Sequence, residues 1–154
     1  MKPRNWLALM LALVLSALAL TACGEEEPFP GGVKKEPYMD TVEALCEAVN
    51  KRNPELVKDF IYTCSEGTFN GKAIHAAITE YTFVEEEYLP VKEVLDAQEM
   101  PGMIETARRE LYLFCAKDVT IEKMMLVTLK STAPVSPKVT LMQIGEKWYV
   151  YQLG

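Results

Sequence analysis

His75 and the cysteines are the residues of this chain best suited to chemistry. His75 is the only histidine among the 154 residues. Paired with Glu80 or with a carboxylate of the run 85–87, it could act as a general base or as half of a metal site. It lies off the centre of an apolar helical stripe, however, which is typical of a boundary residue without a catalytic task. The chain has no HExxH, CxxC, glycine-rich phosphate loop or GxSxG motif, so we predict no enzyme, no cofactor and no metal.

Four cysteines are present, and three of them, Cys46, Cys64 and Cys115, fall on apolar stripes of predicted helices. This placement favours three buried, reduced and unreactive thiols. A bridge between Cys46 and Cys64 is the alternative, because these two residues belong to consecutive helices.

Aromatic residues with polar tips are the candidates for a ligand pocket. If a cavity lies between helices and sheet, we expect it to be lined by Tyr81, Tyr112, Trp148 and Tyr151. Most aromatic residues of a small domain belong to the core, so Trp148 is also predicted to pack there beside Val150, with Tyr149 and Tyr151 on the opposite face of their strand.

The N-terminus has the pattern of an export signal. Two basic residues, Lys2 and Arg4, precede fifteen uncharged residues from Trp6 to Leu20, which is too short for a typical membrane span. The following Leu20-Thr21-Ala22-Cys23 resembles the lipobox of bacterial lipoproteins. The resemblance implies diacylglyceryl transfer to the Cys23 thiol, removal of residues 1–22, and a lipid-anchored protein on the extracytoplasmic side of the cell membrane.

The mature chain is acidic. Removing residues 1–22 deletes Lys2 and Arg4 and no acid, which leaves 14 bases against 22 acids, a net charge of −8. Nucleic acid is therefore excluded as a partner, since its binding depends on clustered lysine and arginine. Residues 23–39 are rich in proline, glycine and charge, and they are predicted to form a flexible tether.

Residues 40–154 are predicted to form a single α+β domain. Asp40 and Glu43 have the spacing of a capping box, and Asn53-Pro54 has the pattern of an N-cap followed by an N1 proline. Three helices come first, the third from about 71 to 81, and a fourth follows Pro101-Gly102. Residues 88–98 fit a short helix and a strand equally well. The apolar positions of the first three helices are Val42, Leu45, Cys46 and Val49; Leu56, Val57, Phe60, Ile61 and Cys64; and Ile74, Ala77, Ile78 and Tyr81.

Strands are predicted at 124–129, 139–144 and 148–153, the last two joined through Gly145-Glu146-Lys147. The N-terminal helices then pack on one face of a C-terminal antiparallel sheet. The ending Val-Thr-Leu-Met-Gln-Ile-Gly-Glu-Lys-Trp-Tyr-Val resembles the final hairpin of small NTF2-like or cystatin-like lipoprotein domains. That superfamily includes enzymes and non-catalytic binders.

Three functions compete. The leading hypothesis is a non-catalytic module, anchored through Cys23, that binds an envelope protein or a small ligand. The alternative is a small NTF2-like hydrolase or isomerase that uses His75 and a carboxylate in an aromatic pocket. A third is a structural or inhibitory partner of an envelope enzyme. Whether His75 points into a cavity distinguishes the first two hypotheses.

Overall fold

A computed structural model describes residues 36–80, 91, 93–132, 134 and 136–154. The predicted signal segment, the predicted lipobox and most of the predicted tether lie outside these residues, as do Tyr81 and the carboxylates at 85–87. The described chain is an α+β fold, as predicted. Its helices are α1 (Met39–Lys51), a 3-10 helix (Pro54–Phe60), α2 (Gly71–Thr79), a second 3-10 helix (Pro101–Met103) and α3 (Ile104–Cys115). Its strands are β1 (Thr63–Cys64), β2 (Gly67–Thr68), β3 (Glu93–Glu99), β4 (Lys123–Lys130), β5 (Lys138–Ile144) and β6 (Lys147–Leu153).

The main sheet is an antiparallel meander in the order β3-β4-β5-β6. The uncertain stretch around 88–98 is therefore a strand from Glu93 onward. A register shift between Val94 and Asp96 leaves Leu95 without a partner on β4. The β5–β6 hairpin is tighter than predicted, because Ile144 pairs directly with Lys147 across a two-residue turn. Gly145 begins this turn with a φ of 61°, a left-handed conformation that glycine adopts without steric cost.

Both faces of the sheet are covered. The first core cluster joins α1, the first 3-10 helix and α2 to one face, which confirms the predicted packing of the N-terminal helices. The second cluster places α3 on the opposite face, with Ala107 and Leu111 packed near Met124 and Met142. Alternate residues of β4 and β6 therefore serve different cores, which explains why the stretch 124–129 is almost uniformly apolar.

Strand β6 divides its side chains between the two cores as predicted. Trp148 and Val150 belong to the first cluster, whereas Tyr151 belongs to the second and Tyr149 packs against it. Two carbonyl groups of this strand accept hydrogen bonds from side chains. The Thr41 hydroxyl donates to the carbonyl of Trp148 at 3.1 Å, and the Asn70 amide donates to the carbonyl of Tyr151 at 2.8 Å.

Helix ends follow the sequence signals in part. Asn53 caps the first 3-10 helix through its side chain, which accepts a hydrogen bond from the backbone of Glu55, and Pro54 follows it as predicted. The prediction that Asp40 begins a capping box is wrong, because α1 begins at Met39 and Asp40 already lies in its first turn. The second predicted helix is also wrong beyond Phe60, because the chain there turns into the β1–β2 hairpin.

Candidate functional site

The three described residues of the predicted pocket, Tyr112, Trp148 and Tyr151, do not share a cavity. Trp148 is 5% exposed in the first core cluster, and Tyr151 is 3% exposed in the second, on the other side of the sheet. Tyr112 lies on α3 with 55% of its surface exposed. Tyr81 lies outside the described residues. Trp148 and Tyr151 are three positions apart on β6, and successive side chains of a strand point to opposite faces, so these two residues belong to different cores and do not form one pocket wall. Tyr151 is also the extra residue at the register shift between β5 and β6.

His75 is exposed on α2 and lines none of the three clefts described below. Its ring Nδ1 lies 3.5 Å from the Thr79 hydroxyl, which itself donates to the backbone carbonyl of His75 at 2.8 Å. Both contacts lie within one turn of the same helix.

The cysteines differ from the prediction. Cys64 and Cys115 form a disulfide with a Cα–Cα distance of 5.9 Å, so the expectation that both are reduced is wrong. The alternative pair of Cys46 and Cys64 does not form either. The reason is the β1–β2 hairpin, which carries Cys64 away from α1 and brings it to the last residue of α3. Cys46 is free and buried, as predicted, and burial together with the charge of Glu43 raises the pKa of its thiol to about 11.

The best candidate site is a groove between α2 and α3, which we call the α2–α3 groove. It consists of two adjoining clefts of about 340 and 560 Å³ that share Asn70 and Ala73. Its remaining lining is Ile74, Glu110, Tyr151, Gln152 and Leu153 in the smaller cleft, and Glu66, Gly67, Thr68, Gly71, Lys72 and Phe114 in the larger one. The disulfide fixes one wall of this groove, because it ties the β1–β2 hairpin to the end of α3.

Polar groups of the groove are held in defined positions. The Tyr151 hydroxyl donates to the Glu110 carboxylate at 2.5 Å, and burial together with this hydrogen bond and the carboxylate charge raises the pKa of Tyr151. Asn70 adopts a left-handed conformation with φ 55°. Its side-chain amide donates to the Tyr151 carbonyl on β6 and does not cap α2. The groove therefore offers amide and carboxylate groups beside apolar side chains, a combination suited to binding.

Sequence reasoning missed this groove. Asn70-Gly71 is a recognisable turn signal, but nothing local connects it to β6, 81 residues later. Glu110 and Tyr151 are 41 residues apart and come together only because α3 packs on the sheet face that receives Tyr151.

Trp148 lines a third cleft, of about 280 Å³, on the other side of the sheet. Tyr38 meets the indole edge-on with 5.8 Å between ring centres. The indole Nε1 is buried, with no hydrogen-bond partner among the described residues. Lys123 and Glu99 form an ion pair at 3.3 Å in the same cleft. These contacts are those of a core tryptophan at the edge of a shallow surface depression.

The described residues contain no group of three or more metal-ligating side chains and no helix long and apolar enough to cross a membrane. No protein-family model, curated protein or solved structure matches the chain. The site must therefore be interpreted from its own geometry.

Proposed function

We propose that the chain is a lipoprotein, anchored through Cys23 on the extracytoplasmic side of a bacterial membrane, and that its domain is a non-catalytic binding module. The lipobox and the apolar signal segment motivate the anchor. The structural observation that carries the proposal is the Cys64–Cys115 disulfide, since such bonds persist in oxidising compartments outside the cytoplasm and are rare within it.

The α2–α3 groove is the proposed binding site, for an envelope protein or a small ligand. It combines substantial volume with positioned polar groups, whereas His75, on which the enzyme alternative depends, lies exposed outside it. Binding without chemistry needs only such a surface.

Mass spectrometry of the membrane fraction tests the anchor. The native protein is expected to lack residues 1–22 and to carry a diacylglyceryl group on Cys23. The Cys23→Ala variant is expected to be acyl-free, because it lacks the only thiol of the lipobox. Recovery of a soluble, acyl-free native protein would refute the localisation.

A bulky substitution in the groove tests the binding site. Ala73 is exposed and lines both clefts, so Ala73→Trp should obstruct the groove without touching the core. Thr106→Trp is the matched control, on an exposed position of α3 that lines neither cleft. In crosslinking pull-downs from membranes, a partner retained by the native protein and the control should be lost with Ala73→Trp. Equal recovery by all three proteins would move binding away from the groove.

A further inference from the structure

Two residues of α3, Glu110 and Phe114, line the α2–α3 groove one helical turn apart. Glu110 lines the smaller cleft and Phe114 lines the larger one. Residues four positions apart lie on the same side of a helix, with about 5 to 6 Å between their Cβ atoms. The groove therefore presents a carboxylate and an aromatic ring side by side, across from Ala73 on α2.

The buried ring of Phe69 connects the supports of both groups. Phe69 is 4% exposed, meets the Phe114 ring edge-on with 5.6 Å between ring centres, and lies 6.0 Å from the centre of the Tyr151 ring. Tyr151 in turn donates its hydroxyl hydrogen to the Glu110 carboxylate. Groups that are already positioned lose little conformational freedom when a ligand arrives, so this arrangement favours binding.

The Glu110 carboxylate is available to a cation. Its Oε2 accepts the hydrogen bond from Tyr151, and Glu110 forms no ion pair within the described part of the chain. Among the described residues that line the smaller cleft, it is the only one with a charged side chain. The larger cleft is lined by Glu66 and Lys72, whose opposite charges offset each other. The groove thus has a net negative charge, on a chain whose formal net charge is -6.

We propose that the α2–α3 groove binds a segment of a partner protein that presents an arginine beside an apolar side chain, with the guanidinium at Glu110 and the apolar group on Phe114. This inference rests on the proposed binding function of the groove. Arginine suits the site because its planar guanidinium pairs with carboxylates and stacks on aromatic rings. A protein segment suits it because Ala73, Glu110 and Phe114 are exposed, whereas pockets for small ligands enclose most of the ligand surface.

Two probes that differ in charge test the role of the guanidinium. Fluorobenzoyl-arginine amide carries both proposed groups, and fluorobenzoyl-citrulline amide replaces the guanidinium with a neutral urea of nearly the same shape. Fluorine NMR line widths, recorded with the native protein in a nonionic detergent and with protein-free micelles as the blank, give the affinity of each probe. We expect the arginine probe to bind roughly 5- to 10-fold more tightly, since solvent at an exposed site weakens a charge-assisted hydrogen bond.

Glu110→Gln removes the charge and keeps an oxygen that can accept the hydrogen bond from Tyr151. Glu105→Gln is the matched control, because it removes the same charge from an exposed position of α3 that lines neither cleft. Glu110→Gln is expected to lower the affinity of the arginine probe to that of the citrulline probe, and the control is expected to leave it unchanged. Equal affinities of the two probes for the native protein, no binding of either, or an undiminished preference for arginine in Glu110→Gln would each overturn the inference.

Ala73→Trp separates this inference from the proposed site. If the native protein binds both probes equally and Ala73→Trp binds neither, the groove stands as the binding site and the preference for arginine is refuted. Excess arginine probe, but not citrulline probe, should also release the partner captured in the membrane pull-down. If neither probe releases a partner that Ala73→Trp fails to capture, that partner uses other groups of the groove, and this inference fails while the proposed site remains.

Discussion

Removing the Cys64–Cys115 disulfide is expected to destabilise the domain strongly. The bond closes a segment with a sequence separation of 51 residues. In the chain-entropy account, a crosslink over that separation disfavours the unfolded state by about 4 kcal/mol. For a chain of 132 residues, numbers 23–154, each kcal/mol corresponds to roughly 3 to 5 °C in melting temperature, so the Cys64→Ala/Cys115→Ala variant should melt roughly 12 to 20 °C lower.

Thermal unfolding followed by circular dichroism measures this effect, on residues 23–154 carrying Cys23→Ala in every sample. Reduction of the native disulfide should lower the melting temperature by a similar amount. Cys46→Ala is the matched control, because it removes a buried sulfur without removing a crosslink and should cost only about 1 kcal/mol. The reasoning fails if the nonreduced and reduced proteins have equal masses, rather than differing by two hydrogens, or if the double variant melts within about 4 °C of the protein that retains the bond.

Three further results are expected. Trp148→Ala should cost about 3 to 5 kcal/mol, because its side chain is 5% exposed in the first core, and a melting temperature within a few degrees of the native value would instead place it on a binding surface. Cys46 should resist alkylation at neutral pH until the protein unfolds, because its pKa of about 11 leaves almost no thiolate, and rapid alkylation of folded protein would contradict its burial. Tyr151 has a raised pKa in the folded protein, so its contribution to stability should be complete below its unfolded pKa of about 10 and decline as pH rises above it. Denaturant titrations of native and Tyr151→Phe proteins between about pH 9 and 11 should show a shallower decline for the variant, and parallel declines would refute the assignment.

Local patterns predicted most of the elements. The apolar stripes through Val42 and Ile74 predicted α1 and α2, because helical periodicity depends only on nearby residues. The apolar run at 124–129 predicted β4, because a continuous apolar run is also a local signal. Asn53-Pro54 correctly predicted the N-cap of the first 3-10 helix, because the capping residue and the N1 proline both act within two residues of the helix start.

Features that depend on distant residues could not be predicted in this way. Cys64 lies on strand β1 and not on the predicted second helix, and its bond to Cys115 follows from that position. The hydrogen bond between Glu110 and Tyr151 requires α3 to lie on the second face of the sheet, and no local pattern specifies which face a helix chooses. The α2–α3 groove was missed for the same reason, since its walls come from segments that meet only in the folded chain.

The two edges of the sheet bear on how densely the proposed lipid anchor could concentrate this protein on a membrane. Lipid anchoring concentrates molecules in two dimensions, where open strand edges would pair and propagate from one molecule to the next. On β6, Thr41 and Asn70 occupy two backbone carbonyls that a foreign strand would need. On β3, the charged side chains of Glu93 and Glu99, which pair with Lys130 and Lys123 on β4, the carboxylate of Asp96 and the irregularity at Leu95 disfavour flat stacking against another copy. Crowding at the membrane surface should thus leave the sheets separate, and association between molecules should depend on helical surfaces instead.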